Sequence, residues 1–216
     1  MILEKQVIVI DYGVGNLLSV QRGLEHCGAK VILSSNPDQI LSAKRVVLPG
    51  VGAFNNAMQA LESLGLVKVI CELAERKIPL LGICLGMQLL LDESDEFEIT
   101  AGLGLIPGRV IPVPVNNISG EKHKIPHISW RSLQPSRPGR GWQQTLLQDN
   151  YPGEAAYFVH SFMANPKESQ HRIADCFYGG HRISAMIGRD KIVGCQFHPE
   201  KSGEVGLKIL RRFILS

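Results

Sequence analysis

Cys84 is the residue of this sequence whose surroundings best fit nucleophilic chemistry. It lies between Gly82 and Gly86 in the segment P-L-L-G-I-C-L-G-M-Q-L-L-L, which spans Pro79–Leu91. The apolar run before the cysteine is typical of a buried parallel strand, and the leucine-rich run after it of a helix packed on a core. A Gly-x-nucleophile-x-Gly sequence at such a junction predicts a nucleophile elbow, a strained turn that places the sulfur at a helix N-terminus, where a thiolate is favoured. The alternative interpretation of a single cysteine is a buried structural thiol.

A base for this nucleophile is offered by the segment Q-F-H-P-E at 196–200. A cysteine nucleophile needs a base that takes its proton and a group that orients the base. The proline after His198 favours an extended conformation, in which residues two apart point the same way. The Glu200 carboxylate can therefore reach the His198 ring and fix its tautomer. His160, at the end of another predicted strand, is a competing base, and His127 is a weaker one.

Two backbone positions are candidate donors to an oxyanion. One is the N–H of Leu85, directly after the nucleophile. The other is the glycine-rich turn Pro49–Gly52, which follows a predicted strand at the carboxyl end where open α/β sheets place their ligands. Within this turn the N–H of Val51 is the best donor. A plain tight loop is the alternative interpretation of the turn.

Length and composition predict one compact α/β domain over residues 1–216. The chain has 44% hydrophobic and 20% charged residues, enough to bury a sizeable core, and a net charge of +3, too small to argue for nucleic acid. The N-terminus has no signal or transit pattern, and no apolar run approaches the length of a membrane span. Five cysteines without C-x-x-C spacing argue against a disulfide scaffold or a zinc site. We therefore expect a soluble cytoplasmic protein without a metal.

The elements that must position these residues are an open, mostly parallel sheet flanked by helices, with additional antiparallel strands. The predicted strands are Gln6–Ile10, Lys30–Leu33, Arg45–Leu48, short pieces within Gly102–Val115, Ala155–His160, Arg172–Phe177, Ile183–Ile187 and Ile192–Phe197. The predicted helices are Leu17–His26, a short one from Asn36, Asn55–Leu64, Leu66–Arg76 and Glu204–Ile214.

Several other features receive structural rather than chemical interpretations. Gly13 and Gly15 lack the third glycine of a dinucleotide fingerprint, and Asn16 is predicted to cap the first helix. The acidic run at 92–96 is typical of a solvated face, and Asn116–Lys124 is a predicted mobile loop. The remaining cysteines are predicted to be inert packing residues: Cys27, Cys71, Cys176 and Cys195.

Two motifs resemble the class I, triad-type glutamine amidotransferases: G-I-C-L-G-M-Q at 82–88 and Q-F-H-P-E at 196–200. Further segments narrow the resemblance to the glutaminase subunits of imidazole glycerol phosphate synthase: D-Y-G-V-G-N at 11–16, L-P-G-V-G-A-F at 48–54, P-H-I-S-W at 126–130, Y-F-V-H-S-F at 157–162 and H-P-E-K-S-G at 198–203. The sequence departs from that pattern at Ile128-Ser129, where Met-Gly is commoner, and at Gln134–Asn150, which is longer than usual.

The resemblance implies a flavodoxin-like fold and a thioester mechanism without a cofactor. Cys84 would attack the glutamine side-chain amide, and His198, held by Glu200, would protonate the departing ammonia. Gln88, four residues after Cys84 on the same helix face, is a candidate hydrogen-bond partner of the substrate. The resemblance adds four glutamine contacts and so assigns His160 to binding rather than catalysis: Gly52, Glu96, His160 and Ser161. The Glu96 carboxylate suits the substrate ammonium.

No site for an ammonia acceptor is visible, because the sequence has no P-loop, metal cluster or second domain. Ammonia must then be used by another chain. The resemblance implies a heterodimer with the (β/α)₈-barrel cyclase subunit of imidazole glycerol phosphate synthase, which makes imidazole glycerol phosphate and aminoimidazole carboxamide ribotide. Candidate docking residues from loops near the site are Asn16, Trp130, Tyr157 and Lys201.

Three alternatives are left open. The chain could serve anthranilate, guanylate or pyridoxal phosphate synthesis, although the motifs at 11–16 and 48–54 speak against these pathways. A cysteine peptidase-like α/β protein would share the elbow but typically lack the His-Pro-Glu ending and Gln88. A catalytically dead regulatory module is disfavoured by the intact Cys84, His198 and Glu200.

Overall fold

The computed structural model describes residues 5–137, 139 and 141–216. Within them the strands are β1 (Gln6–Ile10), β2 (Lys30–Ser34), β3 (Val46–Leu48), β4 (Leu80–Ile83), β5 (Glu93–Ser94), β6 (Thr100–Ala101), β7 (Gly108–Pro112), β8 (His127–Ser132), β9 (Gln134–Pro135), β10 (Ala155–His160), β11 (Phe162–Pro166), β12 (Arg172–Tyr178), β13 (His181–Arg189) and β14 (Ile192–Cys195). The α-helices are α1 (Leu17–His26), α2 (Pro37–Leu41), α3 (Phe54–Ser63), α4 (Leu66–Glu75), α5 (Leu85–Leu89) and α6 (Gly203–Ile214).

An eight-stranded sheet in the order β2-β1-β3-β4-β14-β13-β12-β9 forms the centre of the molecule. The strands from β2 to β14 are parallel, and β13, β12 and β9 continue the sheet in antiparallel pairs. The predicted α/β class, mainly parallel with additional antiparallel strands, is confirmed. In the pairing of β14 with β4, Cys195 lies opposite Ile83, so the segments that carry His198 and Cys84 leave neighbouring strand ends.

Both faces of the parallel part are covered, as the near-continuous apolar strands require. Val7 and Val9 of β1 belong to one core cluster with residues of α1 and α6. Ile8 and Ile10 point the other way, into a second cluster with residues of α3 and α4. This alternation follows from the two-residue side-chain period of a strand. The sheet is therefore a rigid central layer whose carboxyl edge can position a site.

Two smaller sheets stand beside this edge: the antiparallel pair β10-β8 and the sheet β11-β7-β5-β6. Ser161 is the single residue between β10 and β11, so the predicted contacts at 160–161 lie where one sheet passes into the other. Of the antiparallel strands predicted within Gly102–Val115, only β7 is present, and only one of its two pairings is antiparallel. β7 pairs antiparallel with β11 but parallel with β5.

The helix after Cys84 is shorter than the leucine-rich run predicted, because α5 ends at Leu89. Its C-terminal carbonyls are satisfied by a neighbouring chain segment rather than by further helical turns. The N–H of residue 103 donates to the carbonyl of residue 89, that of residue 104 to the carbonyl of residue 91, and those of residues 105 and 106 both to the carbonyl of residue 90. The segment 103–106 thus ends the helix by meeting the hydrogen-bonding needs of its last carbonyls.

The long segment Gln134–Asn150 contributes to the core in its described part. Trp142 is 5% exposed, and its indole N–H donates to the carbonyl of Ile173 over 3.3 Å. Leu147 is fully buried in the same cluster as α1 and α6. The extra length therefore covers one face of the antiparallel strands, while residues 138 and 140 lie outside the described residues.

Candidate active site

Cys84 has the strained backbone that its glycine neighbours predict. It lies between β4 and α5 with φ +54° and ψ −110°, a region that side-chain-bearing residues rarely occupy. A Cβ atom on Gly86 would lie 1.9 Å from the carbonyl oxygen of Leu48, and one on Gly82 would lie 2.6 Å from that of Gly86. Glycine is thus required on both sides, since the backbones approach too closely for any side chain. The turn therefore has the strained, closely packed geometry expected of a nucleophile elbow.

His198 and Glu200 form a buried pair beside the elbow. The ring Nδ1 of His198 lies 2.8 Å from the Glu200 carboxylate, and both side chains are at least 96% buried. Burial lowers the pKa of His198, but the interactions with Cys84 and Glu200 outweigh it and raise the pKa to about 9. Nε2 has no hydrogen-bond partner among the described residues. Glu200 therefore fixes the proton on Nδ1 and leaves Nε2 for chemistry.

A cavity of about 430 Å³ opens at the carboxyl edge of the sheet and contains most of the predicted site: Val51, Gly52, Cys84, Leu85, Gln88, Glu96, His160, Ser161 and His198. Four further lining residues were not predicted as site residues: Pro126, Val159 and Phe162, which lie within motifs quoted above, and Phe97, which lies in none of them. A cavity of about 460 Å³ lies at the opposite edge of the sheet, but no described residue lining it is a cysteine or a histidine. The cavity of about 430 Å³ is therefore the candidate site.

His160 has no free ring nitrogen. Its Nδ1 lies 2.8 Å from the carbonyl oxygen of Phe162, which can only accept, so Nδ1 carries the proton. Its Nε2 must then accept from Nδ1 of His127 at 2.9 Å, and Nε2 of His127 accepts from the hydroxyl of Ser129 at 2.8 Å. The pKa of His160 is lowered to about 4, chiefly by burial. The hydrogen bond to Phe162 raises this pKa, and the neighbouring His198 lowers it further. Burial, together with the neighbouring His160, likewise lowers the pKa of His127 to about 3. Both rings are neutral at physiological pH and poorly suited to act as bases.

The glycine-rich turn Pro49–Gly52 is anchored by a residue that the sequence pattern did not single out. The hydroxyl of Tyr12, which is 3% exposed, donates to the carbonyl of Pro49 over 2.8 Å. Burial raises the pKa of this phenol, so it stays protonated and keeps donating. The tyrosine of the D-Y-G-V-G-N segment thus fixes the start of the turn, whereas Val51 beyond it is 41% exposed.

The family model described as glutamine amidotransferase class-I matches residues 8–216. The chain belongs to the class I glutamine amidotransferases.

Named relatives cover almost the whole chain. It is 50% identical over 208 residues to imidazole glycerol phosphate synthase subunit HisH 1 of Legionella pneumophila (strain Lens), over 96% of this chain and 98% of the relative. It is 44% identical over 205 residues to the HisH subunit of Geobacillus sp. (strain WCH70), over 95% of this chain and 94% of the relative. A solved structure described as a glutamine amidotransferase shares the fold, with a TM-score of 0.70 over 96% of each chain at 15% identity.

Glu96 of this amidotransferase lies in the acidic run at 92–96, but its carboxylate has a structural partner. Its carboxylate accepts a hydrogen bond from the N–H of Phe54 over 2.6 Å. Phe54 begins α3, and Ala53 before it offers no side-chain cap. Glu96 therefore caps α3 from a distant loop, and this bond holds one carboxylate oxygen at the cavity wall. The expectation of a solvated face is wrong here and at Ser94, which is fully buried.

Gln88 lines the cavity, but its amide nitrogen is already engaged. Nε2 donates to the carbonyl of Phe162 over 2.9 Å and to Oε1 of Gln196 over 3.0 Å. An amide nitrogen has two protons, and both have partners. Only the oxygen of Gln88 is therefore open to a substrate, which narrows its predicted role to that of an acceptor.

The other cysteines are less reactive by environment. Cys195 and Cys176 are fully buried, and burial raises the pKa of both thiols, that of Cys176 to about 12. Cys27 and Cys71 are only partly buried, so the prediction that Cys71 is a core residue is wrong in degree. Burial also raises the pKa of these two thiols. None of the four lines the cavity.

The four candidate docking residues lie on neighbouring elements, but the prediction that they come from loops is wrong for Trp130 and Tyr157, which lie on strands. Trp130 of β8 is 54% exposed, and its ring centroid lies 5.9 Å from that of Tyr157, its partner in β10. Lys201 is exposed on the 3₁₀ turn Pro199–Lys201, against which α1 packs. Asn16, also exposed, caps that helix, and its side chain accepts from the N–H of Ser19 over 3.4 Å, as predicted.

The described residues contain neither a membrane-spanning helix nor a metal-binding cluster. None of their helices combines the length and apolar character needed to cross a bilayer. Nor do they bring three or more His, Cys, Asp or Glu side chains together in a group that could hold a metal ion.

Proposed function

We propose that this chain hydrolyses glutamine and supplies the ammonia to a cyclase partner, as the glutaminase subunit of imidazole glycerol phosphate synthase in histidine biosynthesis. The observation that carries the chemistry is Cys84 on a strained elbow, in one cavity with the buried His198–Glu200 pair. The pathway rests on relatives named as HisH subunits, at 44–50% identity over nearly full length. The same full-length likeness weighs against the anthranilate, guanylate and pyridoxal phosphate pathways.

In the first half-reaction the Cys84 sulfur attacks the side-chain amide carbon of glutamine. The pKa of about 9 keeps His198 protonated at neutral pH, so the ring attracts the charge on sulfur and holds a proton for the leaving group. The tetrahedral intermediate breaks its C–N bond, the nitrogen takes the proton from Nε2, and ammonia departs. A glutamyl thioester remains on Cys84.

In the second half-reaction the neutral His198 takes a proton from water, which attacks the thioester carbon. The C–S bond breaks, glutamate leaves and the sulfur is free again. Glu200 holds the ring in one tautomer through both steps and stabilises the imidazolium whenever it forms. Both tetrahedral intermediates place negative charge on oxygen, for which the N–H groups of Leu85 and Val51 are the proposed donors. Leu85 begins α5, where N–H groups have no partner within the helix.

The substrate is proposed to lie in the 430 Å³ cavity with its ammonium at Glu96. The capping bond from α3 leaves the second carboxylate oxygen of Glu96 for that contact. Gly52 and Ser161 contribute cavity wall, and the oxygen of Gln88 is an acceptor. His160 is assigned to positioning rather than to proton transfer, because both of its nitrogens are bonded.

The partner is proposed to be the (β/α)₈-barrel cyclase, in a heterodimer. Ammonia released here has no acceptor site of its own among the motifs of this sequence, so an acceptor enzyme must lie close to the cavity. The proposed docking face is formed by Asn16, Trp130, Tyr157 and Lys201, of which Trp130 offers an exposed aromatic ring of the kind enriched at interfaces.

We further propose one glutamine amidotransferase domain over residues 1–216, in agreement with the family match at 8–216. A cytoplasmic location is proposed because all five cysteines are unpaired, which is typical of reducing compartments.

The test compares two nitrogen sources in the reconstituted complex. Cys84→Ala is expected to abolish synthesis from glutamine while synthesis from ammonium salts continues, because the change removes only the nucleophile. Cys71→Ala, a partly buried cysteine outside the cavity, is the matched control and should retain both activities. If the Cys84→Ala complex failed with ammonium as well, the proposed division of labour would be wrong.

A further inference from the structure

Gln196 lies behind the wall of the cavity, where its side chain contacts the proposed nucleophile Cys84 and the cavity-lining Gln88. It is fully buried and directly follows β14, and its backbone N–H donates to the carbonyl of Ala185 over 2.9 Å. Its side-chain Nε2 lies 3.7 Å from the sulfur of Cys84, within the range of an N–H···S hydrogen bond. Among the described residues it is the side chain that donates a hydrogen bond to this sulfur, since Nε2 of His198 forms none.

The orientation of the Gln196 amide is fixed by a backbone carbonyl. The oxygen of Phe162 can only accept, so Gln88 must turn its NH₂ group toward it. The second proton of that NH₂ group points to Gln196, which must present its own oxygen to Gln88. The NH₂ group of Gln196 then faces Cys84. A flipped Gln196 would place two donors against each other and an oxygen against the sulfur.

The sulfur needs such a donor once its proton has gone. The carbonyl oxygen of Val159 lies 3.9 Å from Sγ, where it accepts from the thiol but opposes negative charge. Hydrogen bonds to ionised acceptors are roughly twice as strong as neutral ones. A fixed amide donor to the sulfur therefore stabilises the charged form relative to the thiol.

We propose that Gln196 is a further catalytic residue of the glutaminase, which donates from its side-chain amide to the Cys84 sulfur and stabilises its negative charge before attack and when the thioester breaks. The hydrogen bonds from Gln88 to the Phe162 carbonyl and to the Gln196 oxygen determine which end of the Gln196 amide faces the sulfur. This inference rests on the proposed function, because it assigns Cys84 as the nucleophile.

The test measures the rate at which iodoacetamide alkylates Cys84 at pH 7, followed by peptide mass spectrometry so that Cys27 and Cys71 are counted separately. This reagent needs a charged sulfur but no glutamine site. Gln196→Met keeps the volume and removes the donor, and is expected to lower the rate roughly ten- to a hundredfold. Gln196→Glu, which places a carboxylate near the sulfur, should lower it further. The kcat for glutamine should fall with the alkylation rate while KM changes less than about threefold.

Ser184→Ala is the control for a general disturbance of the core. Ser184 is 1% exposed on β13, next to the residue that holds the Gln196 backbone, and its hydroxyl has no hydrogen-bond partner among the described residues. It should be alkylated at the wild-type rate. Wild-type alkylation of Gln196→Met, or an equal loss in Ser184→Ala, would overturn the proposal.

Gln88→Met decides the question if Gln196→Met does not fold. It leaves Gln196 in place but removes the donor that orients its amide. The alkylation rate should therefore fall, though by less than the ten- to hundredfold expected for Gln196→Met. A wild-type alkylation rate would overturn the proposal. The alkylation assay also separates the two hypotheses. A chain that did not hydrolyse glutamine, yet showed Gln196-dependent alkylation, would refute the proposed function and retain this inference.

Discussion

The main-chain N–H of His198 donates to the carbonyl oxygen of Tyr157 over 3.0 Å. A second connection runs through Ser202, whose hydroxyl donates to the His198 carbonyl over 2.7 Å and accepts from the N–H of Tyr157 over 3.0 Å. The proposed base is thus clamped to β10, the strand whose Tyr157 ring lies beside the exposed Trp130. Its position depends on a second sheet as well as on the central one.

Ser202→Ala is expected to loosen this clamp. The side chain is 1% exposed, and its loss leaves the Tyr157 N–H and the His198 carbonyl without that partner, which costs on the order of 1–3 kcal/mol of unfolding free energy. Because the His198 backbone is freed, kcat for glutamine hydrolysis should fall as well. Urea unfolding and steady-state kinetics measure the two effects. Ser63→Ala, an exposed serine that caps no other element, should change neither, and an equal change there would contradict the clamp.

The proposed roles of His198, Glu200 and His160 are separable by kinetics. His198→Ala should reduce kcat for glutamine by roughly 10²–10⁴, since it removes both the acid and the base. Glu200→Gln should lose less, because the ring loses an orienting charge but stays in place. His160→Ala should mainly raise KM, because both of its nitrogens are engaged in structure. A kcat loss in His160→Ala as deep as in His198→Ala, at unchanged KM, would exchange the two assignments.

Stability should pass through a maximum near pH 6.5. His127 and His160 have folded-state pKa values of about 3 and 4 against an ordinary value of 6.5, so the unfolded chain binds more protons below 6.5. The free energy of unfolding should therefore rise as pH increases toward 6.5, by up to about 1.4 kcal/mol per pH unit for each histidine. His198, with its pKa raised to about 9, has the opposite effect: its contribution is complete below 6.5 and is lost as pH rises to about 9.

Denaturant unfolding between pH 5 and 9 tests both limbs of this profile. His127→Asn should flatten the slope below pH 6.5, because it removes one buried neutral ring. His26→Asn, at an exposed position at the end of α1, is the matched control and should keep the wild-type slope. An unchanged acid-side slope in His127→Asn would show that this ring does not resist protonation in the folded state.

Gly86→Ala should be among the most destabilising small substitutions in the chain. The added methyl would meet the Leu48 carbonyl at 1.9 Å, so two backbone segments of the elbow must separate. We expect a loss of more than about 3 kcal/mol, at the severe end for point substitutions. Gly153 differs in having a positive φ, of +96°, and no atom of the described residues within 4 Å of an added methyl, so thermal unfolding of Gly153→Ala should show the smaller cost of backbone strain alone. Equal costs would mean that the elbow is not tightly packed.

Local patterns predicted much of this molecule. The bounds of β1, α1 and β10 follow from the sequence, since apolar runs and caps are short-range signals. The spacing of His198 and Glu200 on an extended chain likewise predicted their contact. What the sequence could not show are partners far apart in the chain: Glu96 on the start of α3, and Gln196 on Cys84.

Strand β8 was missed because its pattern is inverted. His127 is fully buried, whereas Ile128 and Trp130 are 56% and 54% exposed, so the apolar residues face outward and a polar ring faces in. Hydrophobic alternation assumes the reverse. The inward histidine is stable only because Ser129 and His160 satisfy both of its nitrogens, and that arrangement becomes visible only in three dimensions.

The register of β14 on β4 also determines where this chain can tolerate added residues. Cys195 pairs with Ile83, so the distance between the Cys84 and His198 segments is that between adjacent strands, about 4.8 Å, and not a property of the more than one hundred residues that separate them in the sequence. One residue inserted between Cys195 and His198 would turn the imidazole to the other side of the chain. The same insertion in the exposed turn at 152–153 would leave the spacing intact. Length variation should therefore be tolerated in that turn and not in the three residues after β14.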